Sequence, residues 1–330
     1  MMINKLLHLN PKLFKPTLEH VPNRKGFGDG LYNVGTANKQ VVAVCADLEE
    51  STQMNTFAKA FPERFIEVGV AEQNLVTVAS GLAAAGKVPF VTSYAAFSPG
   101  RNWEQIRTTI CLNDQPVKIV GSHAGVSVGP DGATHQMLED IALMRTLPNM
   151  IVVVPCDYHE ARRATEALAK IKHPAYLRLA REKTAAITTE RTPFAIGKAQ
   201  VLWEGSDITV VACGPLVYEA LVAAKQLAAH GVSVEVINSP TVKPLDHVTI
   251  LRSAKKTKAV ITVEEAQVNG GLGGAVAELL GEQYPVPMYR IGVRDRFGQS
   301  GTLAELWDEY ELNAQHIEKH IYSLLARKPQ

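Results

Sequence analysis

Glu72 stands where an apolar run ends and a helical one begins. In Phe65-Ile-Glu-Val-Gly-Val-Ala-Glu72-Gln-Asn74 a strand-like stretch, 64–68, gives way to a helix-like stretch, 71–85. Ala71, Leu75, Val78, Ala79 and Leu82 share one face of that helix. A carboxylate at such a junction lies at the rim of a sheet, where open α/β folds place their ligands. The next strand, 88–95, leads through Tyr94 to Phe97, and a later loop carries His123, Asp131 and His135. Gly125, Gly129 and Gly132 punctuate that loop, which gives it backbone angles closed to other residues. A carboxylate, aromatic faces and imidazoles at one sheet edge suit a heterocyclic cofactor and a polar substrate, because rings stack and imidazoles move protons. The two histidines are too far apart for a zinc motif of the HExxH type.

The elements that must position these groups alternate along the chain. Strands are expected at 40–46, 64–68, 88–95, 117–122, 150–154 and 175–179. Helices are expected at 26–38, 55–61, 71–85, 99–112, 136–145 and 159–170, with Pro99 in a first helical turn. Such alternation predicts a parallel sheet covered on both faces. Residues 1–20 read as a surface arm, 21–188 as the first α/β domain and 189–330 as a second one. The stretch 182–205 reads as a polar crossing segment. Beyond it come strands 208–212, 232–237, 259–263 and 288–291, a helix that follows Cys213-Gly214-Pro215 and runs to His230, a helix at 275–280, and a helical tail from Leu303.

Composition narrows the classes. With 34 Lys and Arg against 33 Asp and Glu the net charge is +1, and no basic stripe points to nucleic acid. No apolar stretch approaches the roughly 20 residues of a membrane span, and the N-terminus lacks the apolar core of a signal peptide. The four cysteines, 45, 111, 156 and 213, show no CxxC spacing and read as buried thiols of a cytoplasmic protein. Two other glycine clusters read as local structure. Gly28-Asp29-Gly30 falls inside a helical pattern. Gly270-Gly271-Leu272-Gly273-Gly274 follows a strand but lacks both a Walker lysine and a complete GxGxxG.

Taken in order, Glu-Val-Gly-Val-Ala-Glu72-Gln-Asn, Ser93-Tyr94-Ala-Ala-Phe97, Gly121-Ser-His123-Ala-Gly and Asp131-Gly-Ala-Thr-His135-Gln resemble the pyrimidine-binding half of the transketolases, which are thiamine-diphosphate enzymes. The likeness runs from about Arg24 to Arg181 and continues more loosely through Val263 to Gly274. It implies an α/β pyrimidine-binding domain followed by a transketolase C-terminal domain. It assigns Glu72 to the aminopyrimidine ring nitrogen, where low dielectric favours a neutral carboxyl and the helix N-terminus opposes that. Phe97 stacks on the pyrimidine with Tyr94 beside it, and Asp47 lies near the thiazolium at the subunit interface. His123, Asp131 and His135 meet the ketose donor. Arg24, Ser51 and Arg181 hold a sugar phosphate, and Arg178 lies near a position where a related synthase uses an arginine.

One departure shapes the functional expectation. A full-length transketolase has a first domain that binds the diphosphate and, through Gly-Asp-Gly and a later Asn, a divalent metal such as Mg2+ or Ca2+. Nothing here matches it, since Gly28-Asp29-Gly30 precedes the first strand of the pyrimidine domain. The resemblance therefore implies the C-terminal subunit of a split transketolase. It would transfer a two-carbon ketol unit between sugar phosphates, as in the pentose phosphate pathway, with a diphosphate-binding N-terminal partner and two copies of each chain. The beta subunit of a 2-oxo-acid dehydrogenase, a deoxyxylulose-phosphate-synthase-like subunit and a non-catalytic paralogue are the alternatives. His123 and the run from Asp131 to Gln136 favour a polyhydroxylated substrate.

Overall fold

The computed structural model describes residues 2–327. Two sheets, each flanked by helices, make an α/β architecture. The first sheet has the strand order Thr241–Lys243, Ile151–Val153, Ala175–Arg178, Lys118–Ser122, Val88–Tyr94, Val41–Cys45, Phe65–Glu67. All its pairings are parallel except the one made by Thr241–Lys243. Three of its inner strands, Val41–Cys45, Lys118–Ser122 and Ala175–Arg178, are buried along their whole length, as strands covered on both faces are. Because the strands run the same way, the segments that follow their carboxyl ends gather on one edge. Asp47, Glu72, Phe97, His123 and Arg181 all lie in those segments.

The second sheet has the order Met2–Ile3, Gln200–Glu204, Val234–Asn238, Ile208–Ala212, Val260–Gln267, Met288–Val293. Its last four strands are parallel, and the first two join antiparallel. The opening segment is thus tied to the second sheet, and Leu13 is buried in that unit's apolar cluster.

Several elements depart from expectation. The stretch 182–205 holds two strands: Lys183–Ala185 pairs with His20–Pro22, and Gln200–Glu204 joins the second sheet. Thr-rich composition hid the first of them, although Thr suits a strand as well as a loop. Thr241–Lys243 crosses back to the first sheet. Helix His247–Thr257 was also missed, although Asp246 caps it by accepting from Thr249 N–H. The expected helix 99–112 begins only at Trp103 and widens into a π-helical turn over Ile106–Cys111. Before it the chain turns tightly, with Ser98 N–H donating to Tyr94 and Arg101 N–H to Phe97. The expected helix 136–145 starts at Asp140. The backbone of Met137 and Leu138 instead accepts from Gly125 and Gln267.

Glycines 26, 28 and 30 serve packing. A Cβ at Gly26 would lie 2.1 Å from the Tyr158 carbonyl oxygen, so helix Asn23–Ala37 can meet helix Tyr158–Leu168 closely. The Gly270–Gly274 turn carries no anion site. The Glu264 carboxylate already accepts from Leu272 and Gly273 N–H, each at 2.7 Å, and burial pushes its pKa up to about 7. All four cysteines are buried and unpaired. Among the described residues no helix is long and apolar enough to cross a membrane.

Candidate active site

Glu72 is the first residue of helix Glu72–Ala84 and is 5% exposed. The Asn102 side chain, wholly buried, donates to the Glu72 carbonyl at 2.7 Å and to Ser98 Oγ at 3.1 Å. That clamp fixes the helix start against the turn bearing Phe97. The Glu72 carboxylate is buried as expected, but its surroundings are not purely apolar. Arg101 Nη1 lies 3.1 and 3.2 Å from its two oxygens. The same guanidinium sits 4.3 Å from the centre of the Phe97 ring.

A chain of rings runs on from there. Phe97 and Tyr94 are near-parallel with centres 5.9 Å apart, and Tyr94 stacks on His123 at 3.9 Å. His135 meets Phe97 edge-on at 5.4 Å and Tyr94 at 6.3 Å. Each imidazole contacts through Nδ1 the hydroxyl of the residue before it, Ser122 and Thr134, both at 2.9 Å. This leaves Nε2 as the nitrogen to meet a ligand. Burial, aided by the charges of Arg24 and Arg181 and by His135, pushes the His123 pKa down to about 3. His123 is therefore neutral at ordinary pH.

Arg24 and Arg181 come together beside these rings. Arg24 Nε donates to the Arg181 carbonyl at 3.2 Å and its Nη1 to the Ser51 carbonyl at 2.6 Å. Arg181 Nη1 donates to Val128 O at 2.6 Å. Asn23 helps to set this corner, since its side chain accepts from Ala180 N–H at 3.1 Å. Asp47 and Ser51 line a cleft of about 400 Å3 with Glu67. Glu67 accepts from the Asp47 and Gly69 N–H groups at 2.8 and 2.7 Å. Asp131 is exposed on the same loop as both histidines, and its side chain makes no hydrogen bond among the described residues. Arg178 is different. It is 4% exposed and committed to Asp140 at 2.8 Å and to the Glu265 carbonyl at 2.8 Å, so it ties the sheet to its surroundings.

The loop from 123 to 136 is held from outside its own domain. Glu265 Oε1 accepts from Ser127 N–H at 2.5 Å and Oε2 from Ser127 Oγ at 3.2 Å. Gln136 donates to Val126, Gly129 and Gln299 carbonyls at 3.0, 3.2 and 2.9 Å. Gly125 has φ +89°, and a Cβ there would lie 2.6 Å from the Glu265 carboxyl carbon. Sequence reasoning missed Arg101, Asn102 and Glu265. For Arg101 a signal existed, because it follows Phe97 by four residues, within reach of the same turn.

Comparison with known proteins fits this arrangement. Residues 19–186 match the model of the transketolase pyrimidine binding domain, and 197–317 that of the transketolase C-terminal domain. A putative transketolase C-terminal section of Methanocaldococcus jannaschii is 44% identical over 309 residues, 92% of this chain and 96% of that protein. A 6-deoxy-6-sulfo-D-fructose transketolase subunit from a Clostridium species is 41% identical over 96% of this chain and 98% of its own. A solved split-gene transketolase, described as an inactive beta4 tetramer, superposes with a TM-score of 0.88 at 43% identity, covering 94% of this chain and all of that one. The chain belongs to the transketolase family and corresponds to the C-terminal section of its split members.

Proposed function

We propose that this subunit completes a thiamine-diphosphate enzyme that moves a two-carbon ketol unit from a ketose phosphate to an aldose phosphate. A separate N-terminal subunit supplies the diphosphate site and its divalent metal, Mg2+ or Ca2+, and two copies of each chain form the enzyme. The observation that carries this reading is the slot between Glu72 and Phe97. It accepts a flat group that donates N–H to the carboxylate and stacks on the ring, as the Arg101 guanidinium does. An aminopyrimidine offers the same face for stacking, and its ring nitrogen pairs with the Glu72 carboxyl through a shared proton, so the residues present fit the cofactor. When bound, thiamine diphosphate supplies the nucleophilic carbon that takes up the ketol unit.

This chain's residues then bind, orient and move protons. Glu72 holds the pyrimidine ring nitrogen, Phe97 covers the ring face with Tyr94 behind it, and Asp47 serves the thiazolium side. His123, kept neutral, and His135 bind the donor's carbonyl and hydroxyl oxygens through Nε2 and exchange protons there. Asp131 accepts from the hydroxyl next to the carbonyl. Arg24 and Arg181, with Ser51, hold the distal anion. The relative named for a sulfonated fructose bears on this last role, since paired guanidinium groups accept a sulfonate as well as a phosphate.

The test is reconstitution. The chain is assayed alone, and then with an N-terminal transketolase section, thiamine diphosphate and Mg2+. Ketose phosphates and 6-deoxy-6-sulfo-D-fructose are offered in parallel. Turnover is expected only with both chains present. Robust turnover by the isolated chain, or none by the assembled pair with any donor, overturns the reading. The donor with the highest kcat/KM identifies the anion.

A further inference from the structure

Arg101 makes both contacts required of the pyrimidine. Its guanidinium centre lies 4.3 Å from the Phe97 ring centre, and its Nη1 bonds both oxygens of the buried Glu72 carboxylate at 3.1 and 3.2 Å. A guanidinium and an aminopyrimidine protonated at its ring nitrogen are alike in what they offer this slot: a flat array of sp2 nitrogens, an in-plane N–H for the carboxylate and a face for stacking. Both cannot occupy it together. Resting on the function proposed above, we propose that Arg101 is a built-in stand-in for the aminopyrimidine, holding Glu72 and Phe97 until the cofactor displaces it.

The surroundings support a movable side chain on a fixed frame. Arg101 is 52% exposed, whereas Glu72 is 5% exposed. The neighbouring Asn102 is wholly buried and clamps Glu72 O and Ser98 Oγ. The backbone therefore stays put while the Arg101 side chain has open space to swing into. The device has a physical purpose. A carboxylate taken out of water without a partner is costly, and Glu72 cannot wait uncompensated in a subunit that has yet to meet its cofactor. The stand-in keeps the slot formed and the charge matched. Its consequence is a lower apparent cofactor affinity, reduced by the fraction of chains in which Arg101 has swung out.

The free chain provides a readout independent of activity. It is titrated with 4-amino-2-methylpyrimidine by saturation-transfer NMR, as wild type, Arg101→Met and Arg101→Lys. Arg101→Met, which keeps the stem but loses the guanidinium, is expected to bind the probe at least about tenfold more tightly, equivalent to about 1.4 kcal/mol. Arg101→Lys keeps a cation for Glu72 but cannot lie flat on Phe97, so it falls between the two. Should Arg101→Met fail to melt cooperatively, Arg101→Lys carries the test, with tighter binding than wild type again expected. Equal, weaker or undetectable binding by the folded variants overturns the proposal. Calorimetric binding of thiamine diphosphate by the assembled wild-type enzyme separates the two ideas. No binding there means the functional reading has failed. Binding there, without any gain for the variants, means only the stand-in has failed.

Discussion

Glu72 and His123 carry opposite electrostatic tasks within one row of side chains. On the function proposed above, Glu72 keeps a carboxyl on a ring nitrogen, and Glu72→Gln replaces it with an amide of the same shape that cannot exchange a proton. In the assembled enzyme this substitution is expected to slow exchange of the thiazolium proton by about 10²–10⁴-fold, the usual range for losing a positioned acid or base. Exchange followed by NMR checks it, and an unchanged rate removes Glu72 from the role. His123 is set the other way, with its pKa pushed down to about 3 by burial and by Arg24, Arg181 and His135. The unfolded chain therefore takes up a proton at this residue near pH 6.5, while the folded chain refuses it until about pH 3. Stability present above pH 6.5 is lost as pH falls through that window, with a slope approaching about 1.4 kcal/mol per pH unit. The buried carboxyls of Glu160 and Glu264, both raised to about 7, tilt the curve oppositely over part of it. The difference between wild type and His123→Asn isolates the histidine, and Asn tolerates the backbone at φ +57°. Urea melts from pH 4 to 7.5 are expected to show the two proteins diverging as pH rises. Parallel curves would contradict a depressed His123.

At the scale of elements, the loop bearing His123, Asp131 and His135 owes its shape to a residue of the second sheet. Glu265, 2% exposed on strand Val260–Gln267, holds the Ser127 N–H and hydroxyl. Glu265→Ala leaves that buried N–H without an acceptor and is expected to cost about 2–3 kcal/mol. Glu265→Gln retains an acceptor and loses less. In the reconstituted enzyme Glu265→Ala should raise donor KM several-fold while leaving thiamine diphosphate affinity unchanged, because in the proposed function the loop's groups serve the sugar and Glu72 and Phe97 serve the pyrimidine. A fall in cofactor affinity of equal size would show a general disturbance. The case also marks where sequence stopped being informative. Strand–helix alternation was readable because buried parallel strands are near-continuous apolar runs, as in Val41–Cys45 and Ile208–Ala212. The gathering of Glu72, Phe97, His123 and Arg181 at one edge followed from parallel order alone. Glu265 could not be read, nor could the bond from Gln136 to Gln299, because each joins groups far apart in sequence. Thr241–Lys243 was lost because a three-residue strand has too few residues to show a period. The helix planned for 99–112 failed because local periodicity says nothing of Asn102 reaching back to Glu72.

At the scale of the whole molecule, the two units share one apolar core. Val44, Leu75 and Val152 from the first sheet's side lie in the same buried cluster as Val211, Ile237, Val260, Leu272 and Val276 from the second. Polar ties cross the same boundary: Asn238 donates to Glu160 at 2.8 Å, Gln267 N–H to Leu138 and Val154 N–H to Pro240. Strand Thr241–Lys243 leaves the second unit to finish the first sheet. Unfolding either unit alone would expose the face it presents to the other and strip an edge strand from the first sheet. The chain is therefore expected to melt in one transition, with calorimetric and van't Hoff enthalpies equal, despite matching two family models. Leu75→Ala and Ile237→Ala each empty a wholly buried position, one in each unit, and each should cost about 2–5 kcal/mol. If the core is shared, either substitution moves the entire transition down while it stays single. If the units were independent, each substitution would shift only its own half and split the scan into two peaks. Differential scanning calorimetry of the three proteins distinguishes these outcomes, and a split scan for either variant rejects the shared core.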